Sequence, residues 1–226
     1  MSEKFVDRRY YEATKPRSVG ERLTVAARER IYRDFIRLMR PSASDTVLDV
    51  GASDVVNDAA NVLERTYPHA DRITAVGLGE AKAFQASFPN VAYQQIRPNA
   101  PLPFADKSFD IATSNAVLEH VGSPESQVKF VSELTRVASR VFITVPNRLF
   151  PVEHHTGIPL LHYWRGSFAL ACGALGKREW LDPANLILMS RGRLTELAPQ
   201  GRLAQAGHTG LRLGPFSSNL FLAIRP

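Results

Sequence analysis

The sequence predicts an α/β domain with a mostly parallel sheet of seven strands and helices on both faces. Short β-branched runs alternate with helical segments between residues 46 and 145, which is the pattern of βαβ units. Two later apolar runs, 203–206 and 219–224, supply closing strands. The chain has 226 residues, 44% of them hydrophobic, which is enough to bury the core of one such domain.

The first helix is predicted over residues 19–39, because its apolar residues recur at three- and four-residue steps. Pro41 ends it, since proline cannot continue a helix. The apolar face, with Leu23, Ile31 and Phe35, is expected to pack on the domain.

The other elements follow from the same periodicities. Strands are predicted at 46–50, 73–76, 91–96, 109–113 and 140–145, and helices at 58–67, 80–88, 127–138 and 191–197. Asn57 or Asp58 is expected to cap the helix 58–67.

The sequence predicts an N-terminal arm and basic amphipathic helix over residues 1–40, followed by one domain over 41–226. Residues 147–188 interrupt the regular pattern with histidines, aromatics and glycines. They are predicted to form an insertion over one rim of the sheet.

Charge and cysteine content narrow the classes of partner and compartment. The net charge is +6, and residues 1–40 hold 11 Lys and Arg against 6 Asp and Glu. That segment is able to bind nucleic acid or an anionic membrane surface. The alternative, which we favour, is that it forms a solvated helix face.

The cysteine content bears on the compartment. Cys172 is the sole cysteine, and neither a secretory signal nor a membrane span is recognisable. We expect a cytoplasmic protein.

Ligand chemistry is expected where the parallel strands end, because open α/β sheets bind ligands outside their carboxyl ends. The strand 46–50 ends at Gly51, a residue that permits a sharp turn and a close backbone approach. One glycine after one strand is also typical of an ordinary βα turn.

Three blocks of sequence are more specific. They are VLDVG at 47–51, LPFADKSFD at 102–110 and SNAVLEHV at 114–121. Together they closely resemble the type 11 branch of class I methyltransferases that depend on S-adenosylmethionine (SAM), over about residues 45–147. The resemblance implies a Rossmann-like fold, SAM as cofactor and methyl transfer as activity. The segment 150–162 more loosely resembles methyltransferases of surface-glycan and secondary metabolism.

The resemblance also implies site residues. The turn 49–51 would lie under the amino-acid and ribose parts of SAM, and the loop at 98–100 would flank the adenine. Ser114 and Asn115 would lie under the methionine moiety, and Leu118 would pack near the cofactor. The predicted cofactor-binding residues are Asp49, Gly51, Ala52, Ser53, Gly77, Leu78, Asn99, Ser114, Asn115 and Leu118.

The chain departs from the family pattern at three ligand positions. The Gly-x-Gly-x-Gly loop is reduced to GASDV at 51–55, the acid expected for the ribose hydroxyls is replaced by Gly77, and the acid near the adenine is replaced by Pro98. Asp54 or Glu80 could compensate. These departures predict weaker binding of SAM than in relatives with the full loop.

Histidines are the candidate catalytic residues. If the acceptor is a hydroxyl, a base must take its proton, and His120, His154 and His155 are predicted to serve from the rim. The alternative is that they only satisfy backbone groups. No metal site is expected, because adjacent histidines rarely face one ion and no paired spacing of the zinc type occurs.

The sequence therefore predicts methyl transfer from SAM to a small-molecule or glycan acceptor, at oxygen. Two alternatives stay open. One is a catalytically silent Rossmann-like domain that serves in binding or assembly, and the other is an RNA methyltransferase, which only the basic N-terminal helix supports. Nucleic acid is not the expected partner, whereas the apolar run 157–176 allows peripheral membrane contact.

Overall fold

The computed structural model describes residues 19–54 and 60–226, apart from the side chains of Val19 and Glu21. The predicted arm at 1–16 and the predicted caps Asn57 and Asp58 lie outside these ranges.

Seven strands form one mixed sheet, as predicted. They are β1 (Val47–Val50), β2 (Ile73–Gly77), β3 (Ala92–Gln95), β4 (Phe109–Asn115), β5 (Ala138–Pro146), β6 (Leu203–Leu213) and β7 (Phe216–Arg225). Their order is β3-β2-β1-β4-β5-β7-β6. The first five strands are parallel, and β7 is antiparallel to both β5 and β6.

Six α-helices accompany the sheet in the described ranges. They are α1 (Val19–Met39), α2 (Val62–Thr66), α3 (Ala81–Ser87), α4 (Pro124–Val137), α5 (Arg165–Ala174) and α6 (Arg191–Glu196). None of the described helices has the length and hydropathy needed to cross a bilayer.

The helix α1 packs closely on the domain. Ile31 and Phe35 are buried, and the ring of Phe35 meets that of Phe142 on β5 edge-to-face at 5.8 Å. The prediction for Leu23 was wrong, because 52% of this residue is exposed. It lies one turn beyond the last buried contact of the helix, Ala27, and it borders the cleft described below.

The helix α4 begins at Pro124, three residues before the predicted start. Ser123 caps it, because its Oγ accepts a hydrogen bond from the amide of Ser126 at 3.1 Å, and proline is well suited to the first helical position.

The strands β6 and β7 are longer than predicted. The polar and small residues of β6 carry a weak alternation that does not resemble a buried strand.

One arginine holds the loop before β4. Arg136 of α4 donates to the carbonyl oxygens of Leu102 and Phe104 and to the carboxylates of Asp106 and Glu133, at 2.8 to 3.0 Å. Hydrogen bonds from a charged donor are stronger than neutral ones. This clamp fixes the loop that borders the cleft.

Candidate functional site

The strand order reverses between β1 and β4, and an open cleft lies at this end of the sheet. Loops that leave neighbouring strands toward opposite faces create such a crevice. The cleft measures about 1160 Å³ and is lined by α1, the ends of β1, β2 and β4, the loop 96–102 and the insertion. Sites for drug-sized ligands commonly measure about 300–1,000 Å³, so this cleft has room for a nucleoside cofactor and a small second substrate.

Gly51 makes the turn after β1. Its φ is +104°, and the amides of Gly51 and Ala52 both donate to the carbonyl oxygen of Val76, at 2.8 and 3.0 Å. A Cβ at this position would lie 2.2 Å from Cγ2 of Val117. Both the backbone conformation and the packing against the loop that follows β4 therefore require glycine here.

An asparagine holds the backbone of Ser53, two residues after Gly51. Asn61 Oδ1 accepts from the amide of Ser53 at 3.1 Å, and Asn61 Nδ2 donates to the carbonyl oxygen of Ser53 at 2.9 Å. Both residues are buried and line the cleft. This two-bond pair fixes the backbone beside the cleft.

Gly77 ends β2 without an acid. A Cβ there would lie 2.3 Å from the carbonyl oxygen of Ala52 and 2.7 Å from Oη of Tyr93. A side chain at 77 would therefore push the two strand-end loops apart. The carbonyl oxygen of the next residue, Leu78, accepts from Gln95 Nε2 at 2.9 Å.

Seven of the ten predicted cofactor-binding residues line the cleft. They are Asp49, Gly51, Ser53, Gly77, Leu78, Asn99 and Asn115. Their role toward a cofactor stays a prediction.

The other three do not reach the cleft, contrary to prediction. Ala52, Ser114 and Leu118 are buried behind its wall. Side chains alternate along a strand, so Ser114 points away from the cleft that Thr113 and Asn115 line. Its Oγ donates to the carbonyl oxygen of Val50 at 2.7 Å. Ser114 thus joins β4 to β1 instead of meeting a ligand.

The sequence reasoning predicted Asp49 but missed its acidic partner in the cleft, Glu64. Asp49 of β1 and Glu64 of α2 are carboxyl neighbours, and both Glu64 oxygens lack a hydrogen-bond donor in the described structure. Burial, and then the charge of Glu64, raise the pKa of Asp49 well above its ordinary value. Burial also raises the pKa of Glu64. Because both pKa values are raised, we expect the folded pair to hold one proton near neutral pH.

Arg28 of α1 faces the same acids. Its guanidinium lies within Coulombic range of Glu119, Asp49 and Glu64, and burial lowers its pKa. It lines the cleft. Arg28 precedes Ile31 by three residues, so the helical repeat already places Arg28 beside the apolar face of α1. This spacing is the feature of the sequence from which its position could have been predicted.

Neither residue that the sequence offered as a substitute acid lines the cleft. Asp54 packs against Gly79, whose Cβ would lie 2.2 Å from Asp54 Cγ. Glu80 precedes α3 and is exposed. The acids on the cleft side of β1 are Asp49 and Glu64 instead.

Replacing Glu64 with glutamine should make the free energy of unfolding less dependent on pH. Because the folded pair holds a proton that the unfolded chain releases above about pH 4, the wild-type protein should lose stability as the pH rises through the raised pKa values, by up to about 1.4 kcal/mol per pH unit. Glutamine carries no proton to lose. Urea unfolding between pH 5 and 9, about the range of interest, measures this slope.

The exposed Glu80→Gln variant is the matched control and should keep the wild-type slope. An unchanged slope in Glu64→Gln would show that the pair does not hold a proton.

Two of the three predicted histidines meet where the insertion borders the cleft. His120 follows β4, and His155 lies in the insertion. Their Nε2 atoms are 3.1 Å apart. His120 Nδ1 is 2.7 Å from the carbonyl oxygen of Asn185, and His155 Nδ1 is 2.9 Å from Glu153 Oε1. The fold thus brings into contact two histidines that are 35 residues apart in the sequence.

Glu153 is the anchor of this group. Burial opposes its charge, but hydrogen bonds from His155 and Thr156 outweigh burial and hold the pKa of Glu153 at about 2. Burial lowers the pKa of His120 to about 4. The insertion therefore presents a carboxylate–imidazole pair to the β4 rim.

His154 has a different environment. Its ring meets that of Phe150 at 5.6 Å, and no hydrogen bond to its ring nitrogens occurs in the described residues. Burial lowers its pKa to about 4, so the ring is neutral at physiological pH. His120, His154 and His155 all line the cleft, which is the placement that a base role requires.

Comparison with known proteins identifies the family. Residues 48–140 match the family model described as a methyltransferase domain. A SAM-dependent methyltransferase from Aquifex aeolicus superimposes with a TM-score of 0.56 at 16% identity, over 97% of this chain and 98% of that one. These matches identify residues 48–140 as a methyltransferase domain, and the chain has the Rossmann-like fold of class I methyltransferases. The predicted family and fold class are confirmed.

Other methyltransferases share the fold or part of the sequence. The magnesium protoporphyrin IX methyltransferase of Synechocystis, solved with bound SAH, has a TM-score of 0.57 at 15% identity over 97% of this chain and 92% of that one. A ubiquinone biosynthesis O-methyltransferase of Albidiferax ferrireducens is 31% identical over 117 residues, 51% of this chain and 46% of the relative.

An uncharacterized protein of Mycobacterium tuberculosis is 29% identical over 157 residues, 67% of this chain and 54% of that protein. This methyltransferase chain thus spans about half the length of the curated relatives that it matches.

Proposed function

We propose that this methyltransferase transfers a methyl group from SAM to an oxygen of a small organic acceptor, a small molecule or a glycan. The observation that carries the proposal is one continuous cleft. It joins the turns after β1 and β2 to the histidines of the insertion. A cofactor at the first end and an acceptor at the second would meet above β4.

The first end suits the charges of SAM. SAM carries a carboxylate, an ammonium and a sulfonium, so it needs one cation and an acidic surface nearby. Arg28 supplies the cation, and the Asp49–Glu64 pair supplies carboxyl oxygens, of which the two of Glu64 lack a donor in the described structure. We assign Arg28 to the carboxylate and the acidic pair to the ammonium. Gly51 and Gly77 keep the floor of this end free of side chains.

The second end suits an acceptor. When bound, SAM supplies a methyl group already activated on sulfur, so the protein's main task is to align the acceptor with it. Apolar side chains such as Phe150 and Val152 line this end beside His154. We assign His154 as the base, because its neutral ring has no hydrogen-bond partner among the described residues. The O-methyltransferase relatives support oxygen as the methylated atom.

Replacing His154 with alanine should lower kcat for an oxygen acceptor by about 10²-fold, the low end of the range for a general base, because burial makes this ring a weak base. The KM for SAM should change much less than kcat, since His154 is assigned no direct contact with SAM. The assay follows methyl-labelled SAM with panels of phenolic, sugar, carboxylate and amine acceptors.

His69→Ala is the control, since it removes a histidine that does not line the cleft, and it should keep the wild-type kcat. Transfer only to amines, or an unchanged kcat in His154→Ala, would contradict this assignment.

A silent binding domain is the second candidate. Gly77 favours it, because no acid ends β2 to hold the ribose. Binding of SAM without transfer to any acceptor class would support that alternative. The RNA methyltransferase alternative depended on the basic N-terminal helix. It has less support in the structure, because Arg28 of that helix lines the cleft instead of extending a basic surface for RNA.

A further inference from the structure

Three side chains at the β4 rim are arranged as ligands around one point. They are Glu119 and His120, in the turn after β4, and His155 in the insertion. One carboxylate oxygen and two imidazole nitrogens lie within 4.8 Å of one another. We propose that they bind a divalent first-row transition ion such as Zn²⁺, with Glu153 and the carbonyl of Asn185 orienting the two rings.

The hydrogen bonds fix which ring nitrogens face the point. A carbonyl oxygen and a carboxylate only accept, so Nδ1 of His120 donates to Asn185 at 2.7 Å and Nδ1 of His155 donates to Glu153 at 2.9 Å. In the neutral rings each Nε2 then holds a lone pair. The two Nε2 atoms face each other at 3.1 Å, and two lone pairs repel unless a cation lies between them.

A metal ion fits this separation. Two nitrogens bound to one ion at about 2.0–2.1 Å are separated by about 3.0–3.4 Å, depending on the angle between them. Metal-bound histidines usually donate their other ring nitrogen to a carboxylate or a backbone carbonyl. His155 donates to a carboxylate, and His120 donates to a carbonyl.

Glu119 distinguishes a metal from a proton. A proton shared by the two rings would satisfy both lone pairs, but it would give the Glu119 carboxylate no hydrogen-bond donor and no cation. This residue is 1% exposed, and neither of its carboxylate oxygens has a hydrogen-bond donor in the described structure. Its Oε1 lies 3.9 Å from His120 Nε2, so a small rotation of the side chain brings it to an ion between the rings. One ion satisfies all three groups.

The ligand set indicates the class of ion. Two imidazoles and one carboxylate suit zinc and its neighbours in the first transition row, whereas calcium and magnesium prefer oxygen alone. Three protein ligands leave a fourth position open. His120 and His155 line the cleft, so an oxygen of an acceptor could take that position. The placement of an acceptor oxygen at the ion rests on the proposed function, whereas the binding of the ion itself does not.

Zinc binding to the full chain, without tag, SAM or acceptor, tests the site. Calorimetric titration of the chelator-treated protein with Zn²⁺ should show one equivalent bound. His155→Ala should weaken binding by at least about 100-fold, because it removes a direct ligand, and Glu153→Gln by about 10–100-fold, the usual cost of an outer-shell change. Glu119→Gln, which keeps the side-chain shape, should weaken it by at least about 10-fold. His69→Ala, far along the chain, should bind as the wild type does.

No binding by the wild-type protein, or binding that neither His155→Ala nor Glu119→Gln weakens, would overturn the proposal. X-ray absorption of the zinc-loaded wild-type protein decides the matter if the variants fail to fold. Two imidazole nitrogens with oxygen support the site, and a sulfur ligand contradicts it. Because no SAM is present, failure of methyl transfer leaves this result unaffected.

Discussion

Replacing Phe35 with alanine is expected to lower the free energy of unfolding by about 3–5 kcal/mol, the usual cost of removing a buried phenylalanine. Phe35 is 3% exposed and lies between α1 and the sheet, against Phe142. Ile31 and Met39 of the same helix are buried with it. The cavity would open between the helix and β5, where the surrounding strands cannot collapse.

Leu23→Ala is the control on the same helix. Because Leu23 is mostly exposed, this change should cost less than about 1 kcal/mol. Chemical unfolding of both variants by circular dichroism measures the difference. Equal effects would show that α1 does not contribute to the core, and that the helix is a separate attachment.

Replacing Gly51 with alanine is expected to lower the stability by about 2–6 kcal/mol and to abolish measurable SAM binding, through two causes that add. The backbone φ of +104° strains any other residue, at a cost of about 1–3 kcal/mol. The added Cβ would also lie 2.2 Å from Val117 Cγ2, and overpacking of this kind costs a further 1–3 kcal/mol or so. Movement of Val117 would distort the cleft between β1 and β4.

Gly201→Ala separates the two causes. Its φ is +76°, and a Cβ at this position would meet no described atom within 4 Å, so the variant carries backbone strain without a clash. It should cost only about 1–2 kcal/mol and leave SAM binding unchanged. If the Gly51→Ala protein is as stable as the Gly201→Ala protein, the packing of Gly51 against Val117 does not contribute to the loss of stability.

The fold could be predicted from the sequence because its signals are local. Four of the five parallel strands are mostly buried runs that end in turns, and α1 carries a three- and four-residue apolar repeat. The strand β6 was harder to predict because its residues are polar or small, and an edge strand needs no strong apolar alternation. The boundary of α4 depended on the Ser123 cap, which the apolar pattern does not contain.

The site was only partly predictable. Gly51 and Asn115 were found because strand ends are visible in the sequence, whereas the burial of Leu118 depends on how the turn after β4 folds. Glu64 gave no signal, and Glu119 was visible only as a member of the block at 114–121, because each gains its role from a residue distant along the chain. Glu64 meets Asp49, and Glu119 approaches His155, through contacts that only the assembled sheet and insertion create.

Binding of SAM to the cleft is the central claim, and calorimetry with SAM and its demethylated product tests it most directly. We predict one site per chain with a Kd of about 1–100 μM, weaker than a relative with the full glycine loop would show. Arg28→Met should weaken binding by about 10–100-fold, because a hydrogen bond to a charged group contributes about 1.5–3 kcal/mol. Absence of binding at millimolar SAM would contradict the claim, and nanomolar binding would contradict our interpretation of the lost glycines and of Gly77.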